Sequence, residues 1–171
     1  MFLGNCYLAD FYKAEKMNLS FKEGDWVDFD TWTTEFGVSG MSGINISSKH
    51  KTIVCVSTEH GDGVPYEDKW YSRTEWDGVR FTGEGLKGDQ TLTKGNKHLK
   101  EDKRAYFFRK KKGGRLYLYC GLFNLVDDKY NPKSDLQNDI DGNRRNVWMF
   151  NMKYAGNHYP KKLADEMSRH F

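Results

Sequence analysis

Between Tyr66 and Gly85 the chain gathers three kinds of residue that together can hold a flat heterocycle: aromatic rings, carboxylates and closely spaced glycines. A ring face stacks on a base, a carboxylate accepts a hydrogen bond from an exocyclic amine, and glycine lets backbone approach without a Cβ in the way. These are the parts of a pocket for one extruded nucleobase. Tyr66 and Phe81 are the expected stacking pair, each face worth about 1–3 kcal/mol, with Trp70, Tyr71 and Trp76 in reserve. Asp68, or failing that Glu67, is the expected acceptor for a cytosine N4 amine, a contact that thymine cannot make. Thr82 and Gly83 would set a hydroxyl and backbone donors against the base edge. The plainer readings are core aromatics in a chain that is 15% aromatic, and a surface carboxylate paired with Lys69.

Asp89, Gln90, Thr93 and Asn96 follow at once. An Asp at a loop-to-helix junction can cap the free N–H groups of a first turn, so this group is expected to hold the loop that shapes the pocket. The formal net charge of +3 conceals an asymmetry, because Met1 to Trp70 leans acidic while Lys94 to Arg115 is densely basic. Lys87, Lys94, Lys97, Arg109, Lys110, Lys111 and Lys112 are candidates for the DNA backbone, since cations on phosphate give sequence-independent, salt-sensitive affinity. KKKGG at Lys110 to Gly114 also reads as a solvated hairpin tip.

The elements that must position these residues are mostly strands. Thr52 to Ser57 is a short β-branched apolar run, the mark of a buried strand. Asp77-Gly78 signals a hairpin between Tyr71 to Trp76 and Val79 to Thr82. Arg104 to Arg109 and Arg115 to Gly121 flank the lysine-glycine turn as a second hairpin, and Arg145 to Met152 is a late strand. Helices are expected over Gln90 to Lys100, Lys161 to His170 and Cys6 to Lys16; Ser57 to Pro65 and Asp127 to Gly142 read as loops. At 171 residues the chain suits one domain spanning 1–171. Its three cysteines, Cys6, Cys55 and Cys120, form no CxxC and no disulfide framework. With no secretory leader and no long apolar run, a cytoplasmic protein without a membrane partner is expected.

Three motifs in series resemble the SRA (SET- and RING-associated, or YDG) domain. Ile53 to Ser57 is similar to the strand that precedes that family's Tyr-Glu-Asp segment, here Tyr66, Glu67 and Asp68. Phe81, Thr82, Gly83, Glu84 and Gly85 resemble its aromatic-Thr-Gly-x-Gly element. Asp89, Gln90, Leu92, Thr93, Asn96 and Leu99 resemble its DQ-x-LT-x-x-N-x-x-L element. Only Leu86, Lys87 and Gly88 stand where animal members carry an Asn- and Arg-bearing insertion, and Lys69 replaces a second Asp, a pattern similar to the microbial, restriction-linked branch. The resemblance implies an α+β, β-rich fold: a PUA-like, SRA-type curved sheet or open β-barrel with a few flanking helices. It further implies a reader of 5-methylcytosine or 5-hydroxymethylcytosine in double-stranded DNA that works by base flipping, beside a linked or separate nuclease module.

Two other chemistries compete with a base reader. A PUA-like binder of RNA or of a modified nucleotide would share the barrel and basic strip but favour single strands with exposed bases. Glu67-Asp68-Lys69 and Glu101-Asp102-Lys103 carry the Glu-x-Lys spacing of small magnesium-dependent nucleases, a short pattern that arises readily in a chain that is 30% charged. No P-loop or GxSxG is present. DLQNDIDGN at Asp135 to Asn143 lacks EF-hand order, so neither a cofactor nor a metal is expected.

Overall fold

The computed structural model describes residues 17–171; the helix expected over Cys6 to Lys16 lies outside them. Among the described residues, nine strands join in one mixed sheet along the order β2-β3-β6-β7-β9-β5-β4, with β1 (Trp26–Val27) on β7 and β8 (Lys133–Asn138) on β9. The others are β2 (Ile44–Ser47), β3 (Thr52–Thr58), β4 (Lys69–Ser72), β5 (Asp77–Thr82), β6 (Arg104–Lys110), β7 (Tyr117–Leu125) and β9 (Arg144–Tyr154). Helices α1 (Phe29–Phe36), α2 (Lys94–Asp102) and α3 (Lys161–His170) flank it. This is the expected α+β, β-rich architecture, with an open sheet.

The buried strand read at Thr52 to Ser57 is β3, paired parallel to β6. Strand β6 is apolar on both faces: Ala105 and Phe107 enter one core, Tyr106 and Phe108 the other. A strand buried on both sides reads as a continuous apolar run, and RAYFFR is one. Its pairing with β7 shifts register between Phe107 and Phe108, opposite Gly121 at φ +89, where a Cβ would lie 2.8 Å from Glu23. Helix α1 begins at an Asp28 cap on the Thr31 N–H, ends at left-handed Gly37, and buries Trp32 and Phe36 against Phe108.

Two expectations are corrected. The Asp77-Gly78 pair lies inside β5, and the hairpin turns instead at residues 73–76, closed by the Arg73 N–H on the Trp76 carbonyl. Asp77 accepts from the Tyr159 N–H at 2.7 Å, and a Cβ on Gly78 would meet the Met152 carbonyl at 2.4 Å, so packing selects both residues. The stretch Asp127 to Gly142 contains strand β8, which is exposed apart from Gln137 and so lacks the apolar alternation that marks a strand.

Candidate functional site: a polar cluster on one face of β5, β9 and β8

Strand alternation decides which candidates can meet. Register pairs Thr82 with Met149, Arg80 with Asn151, Lys133 with Met149 and Gln137 with Arg145. These side chains therefore share one face of the sheet. Phe81, Val79, Phe150 and Met152 occupy the other face and belong to the main core.

A connected hydrogen-bond network runs from the main-core side of the sheet, where Trp70 pairs with Val79, through Asp68 and the Thr82 N–H to the first face. The Ser57 hydroxyl at the end of β3 donates to Asp68 Oδ2 at 2.7 Å and accepts from the Trp70 indole N–H at 3.1 Å. The Thr82 N–H donates to Asp68 Oδ1 at 2.7 Å. Gln137 Nε2 donates to the Thr82 hydroxyl at 3.1 Å while its Oε1 accepts from the Glu67 N–H at 3.2 Å. Burial pushes the Asp68 carboxyl up to about 6, against the pull of the Thr82 and Ser57 bonds and of Arg109. Each carboxylate oxygen takes one of these donors, leaving acceptor capacity on both.

Tyr66 stands at the edge of this cluster, partly exposed, with its hydroxyl accepting from the Gly85 N–H at 3.0 Å. Gly43 borders its ring: a Cβ there would lie 3.9 Å from Tyr66 Cε2. The loop after β5 is braced from below. Asn96 accepts from the Glu84 N–H and donates to the Glu84 and Thr91 carbonyls. Gln90 donates to the Gly83 carbonyl and accepts from the Trp148 N–H. Gly83 leaves room for both, since a Cβ would sit 2.6 Å from Asn96 Oδ1. Arg145, 3% exposed, donates from one terminal nitrogen to the Gly85 and Gly88 carbonyls, while its Nε and other terminal nitrogen have no partner.

Several sequence candidates fall elsewhere. Phe81 is 2% exposed and meets Phe107 edge-on at 5.2 Å, so its ring is a core ring, as alternation with Thr82 requires. Trp70 is occupied as well, edge-on to Phe107 and Phe123, with the Arg109 guanidinium 4.9 Å from its ring centre. Arg109 is in turn held between Trp70 and Phe171, and burial draws its pKa down to about 10. Lys110 pairs with Asp62 at 2.5 Å, Lys97 with Glu101 at 3.9 Å and Lys87 with Asp141 at 3.1 Å. Lys94, Lys111 and Lys112 are exposed, and so is the Glu67 side chain. Asp89 caps no helix, because α2 begins only at Lys94; it accepts from the Asn146 N–H at 2.8 Å and ties the loop to β9. Thr93 precedes α2 without a side-chain capping bond and instead meets the Thr91 hydroxyl at 2.7 Å.

Gln137, Arg145 and Ser57 are the members that residue-by-residue reading misses as site residues. The only sequence signal for the first two is polarity inside a β8–β9 hairpin that is itself hard to recognise. Among the described residues, no group of three His, Cys, Asp or Glu side chains is placed to hold a metal ion, and no helix is long and apolar enough to cross a membrane.

An open, mixed, β-rich sheet with a few flanking helices, whose Tyr-Glu-Asp segment meets the glycine loop through the Gly85 N–H on the Tyr66 hydroxyl, is consistent with the curved sheet of an SRA domain. The family profile described as "ScoMcrA-like, SRA domain" matches residues 23–170, and the chain belongs to that family. No curated protein matches it. Among solved structures, the sulfur-binding domain and SRA domain of ScoMcrA complexed with phosphorothioated DNA is 20% identical with TM-score 0.62, covering 97% of this chain and 52% of that one. The type IV phosphorothioation-dependent restriction endonuclease ScoMcrA is 18% identical with TM-score 0.58, covering 88% and 28%. The modification-dependent TagI restriction endonuclease is 20% identical with TM-score 0.52, covering 79% and 50%. At these identities the likeness is one of fold, and the chain spans about half or less of each of those proteins.

Proposed function

We propose that the chain is the DNA-recognition module of a modification-dependent restriction system, and that it reads 5-methylcytosine or 5-hydroxymethylcytosine by admitting the flipped base beside Tyr66. The observation that carries this reading is the Asp68 carboxylate. It lies two residues along the chain from Tyr66, pinned by the Ser57 hydroxyl and the Thr82 N–H, and its lone pairs are not all spent. A carboxylate in that position accepts from a cytosine N4 amine and opposes the O4 acceptor of thymine. Tyr66 supplies one stacking face, and the braced backbone of Gly83 to Gly85 supplies polar groups along the base edge. Phe81 acts from behind, fixing β5 so that Thr82 meets Asp68.

A phosphorothioate reader is the second reading, favoured by the phosphorothioated DNA in the ScoMcrA complex. That complex contains a sulfur-binding domain besides its SRA domain, and the family matched here is the SRA domain; this supports base reading over sulfur reading.

Titration of matched duplexes carrying cytosine, 5-methylcytosine, 5-hydroxymethylcytosine or a phosphorothioate linkage, alongside single-stranded RNA and with or without magnesium, tests the assignment. Tighter binding to a modified-cytosine duplex is expected. Equal affinity for all duplexes removes the base-reading function, preference for the sulfur-bearing duplex installs the second reading, and cleavage by the chain alone makes it a nuclease.

A further inference from the structure

We infer that a cleft next to the base site, framed by Arg73, Arg80, Lys129 and Lys133, is a track for the sugar-phosphate backbone of duplex DNA. The inference rests on DNA being the ligand, but not on which base is read. The cleft measures about 820 Å³ and has Tyr130 and Met149 in its walls. Four cations line it against one carboxylate, Asp128. Among the described residues none of the four forms an ion pair, although the Arg73 guanidinium lies 4.4 Å from the Tyr71 ring centre and 5.8 Å from that of Trp76, and an Asp128 oxygen already accepts from the Tyr130 N–H at 2.9 Å. Unpaired cations converging on one concavity make a site for a polyanion.

The cleft is also built rather than incidental. Asn131 donates to the Val126 and Asn151 carbonyls at 3.0 and 2.9 Å and accepts from the Asn151 N–H at 3.0 Å, which locks the loop bearing Lys129 and Tyr130 onto β9. Tyr130 is held there 65% exposed, with the Lys129 ammonium 4.8 Å from its ring centre. Large exposed aromatics beside unpaired cations suit a ligand with both phosphates and flat or apolar sugar-base surfaces.

Position links the cleft to the base site. Arg80 lies two residues before Thr82 on the same strand and face. Met149, in the cleft wall, receives the Thr82 hydroxyl at 3.4 Å and Gln137 Nε2 at 3.3 Å. A strand whose base enters beside Tyr66 therefore runs its neighbouring phosphates toward Arg80 and Lys133. The basic run at 94–115 is less available, since Lys97 and Lys110 are ion-paired and Arg109 is partly buried between Trp70 and Phe171, whereas Arg73 is exposed.

The test replaces Arg73, Lys129 and Lys133, all exposed, with Gln in one variant and Lys49, Lys51 and Lys161 with Gln in a charge-matched control. Binding to modified and unmodified duplexes is measured across a salt series. In the cleft variant the slope of log affinity against log salt should become shallower by about 2–3, near 0.9 for each phosphate no longer neutralised. Affinity should fall by about tenfold or more for both duplexes alike, leaving their ratio unchanged. An unchanged slope, or an equal change in the control, overturns the track. A wild-type chain without preference for modified cytosine, but with the slope effect intact, sinks the base-reading function and leaves the track standing. No DNA binding by the wild type sinks both.

Discussion

Tyr66 and Phe81 look alike in the sequence and do different work in the fold. Because Phe81 is a core ring, Phe81→Ala should cost about 3–5 kcal/mol of stability in a denaturant titration. Tyr66→Ala removes a partly exposed ring, so it should leave the melting transition nearly in place and lower the preference for modified cytosine about tenfold or more. A Tyr66→Ala protein with preference intact would mean that another group stacks on the base. Asp68 adds a pH signature. Its folded pKa, about 6, is raised above the ordinary 3.8, so the fold favours the protonated form. The carboxyl's contribution to stability is therefore full below about pH 4 and is lost as pH climbs through 6. Between about pH 4 and pH 7 the wild type should lose about 2–3 kcal/mol that Asp68→Asn does not lose, measured by urea unfolding at both values. Preference for modified cytosine should run the opposite way, weakening as pH falls below about 6 and the acceptor gains a proton.

At the scale of elements, the loop that shapes the site depends on one tight approach. Helix α2 brings Gly95 so close to Glu84 and Ile44 that a Cβ would lie 2.2 Å from Glu84 Oε1 and 2.9 Å from Ile44 Cβ. Gly95 therefore serves the packing of α2, although in the sequence it reads only as an interruption of a helix. Gly95→Ala should push α2 off the loop and destabilise the protein by about 1–3 kcal/mol, with a further loss of DNA preference as Glu84 shifts. Thermal melting and duplex titration on the same sample check both halves. Elements whose pattern comes from burial are legible in the sequence: β3, β6, β9 and the amphipathic α3, which spans Lys161–His170 as expected. Elements defined by pairing alone are not. The six residues of β8 are polar, and only their register on β9 makes them a strand. The same limit hides the site, for Gln137 and Arg145 become site residues only once that hairpin is formed.

For the whole molecule, the SRA motifs mark the right segments but not the faces on which their side chains lie. Motif order puts consecutive residues such as Phe81 and Thr82 into one pocket, whereas strand alternation sends one to the core and the other to the site. The basic cleft is equally hidden, because Arg73, Arg80, Lys129 and Lys133 come from distant stretches and make no charge run. Strand β9 joins these parts. It pairs with β5, β7 and β8, and it carries Arg145 beneath the glycine loop, Met149 at the boundary and Asn151 beside the loop of Tyr130. A single extended strand rises about 3.3 Å per residue and stretches little. If the base enters beside Tyr66 as proposed, its spacing from the cleft of Arg80 and Lys133 is thus set as if by a ruler, and the double helix would do the bending. Target sites with soft pyrimidine–purine steps next to the modified base should then be occupied ahead of stiff A-tract sites bearing the same modification, a bias toward flexible flanks that arises without a side chain touching them.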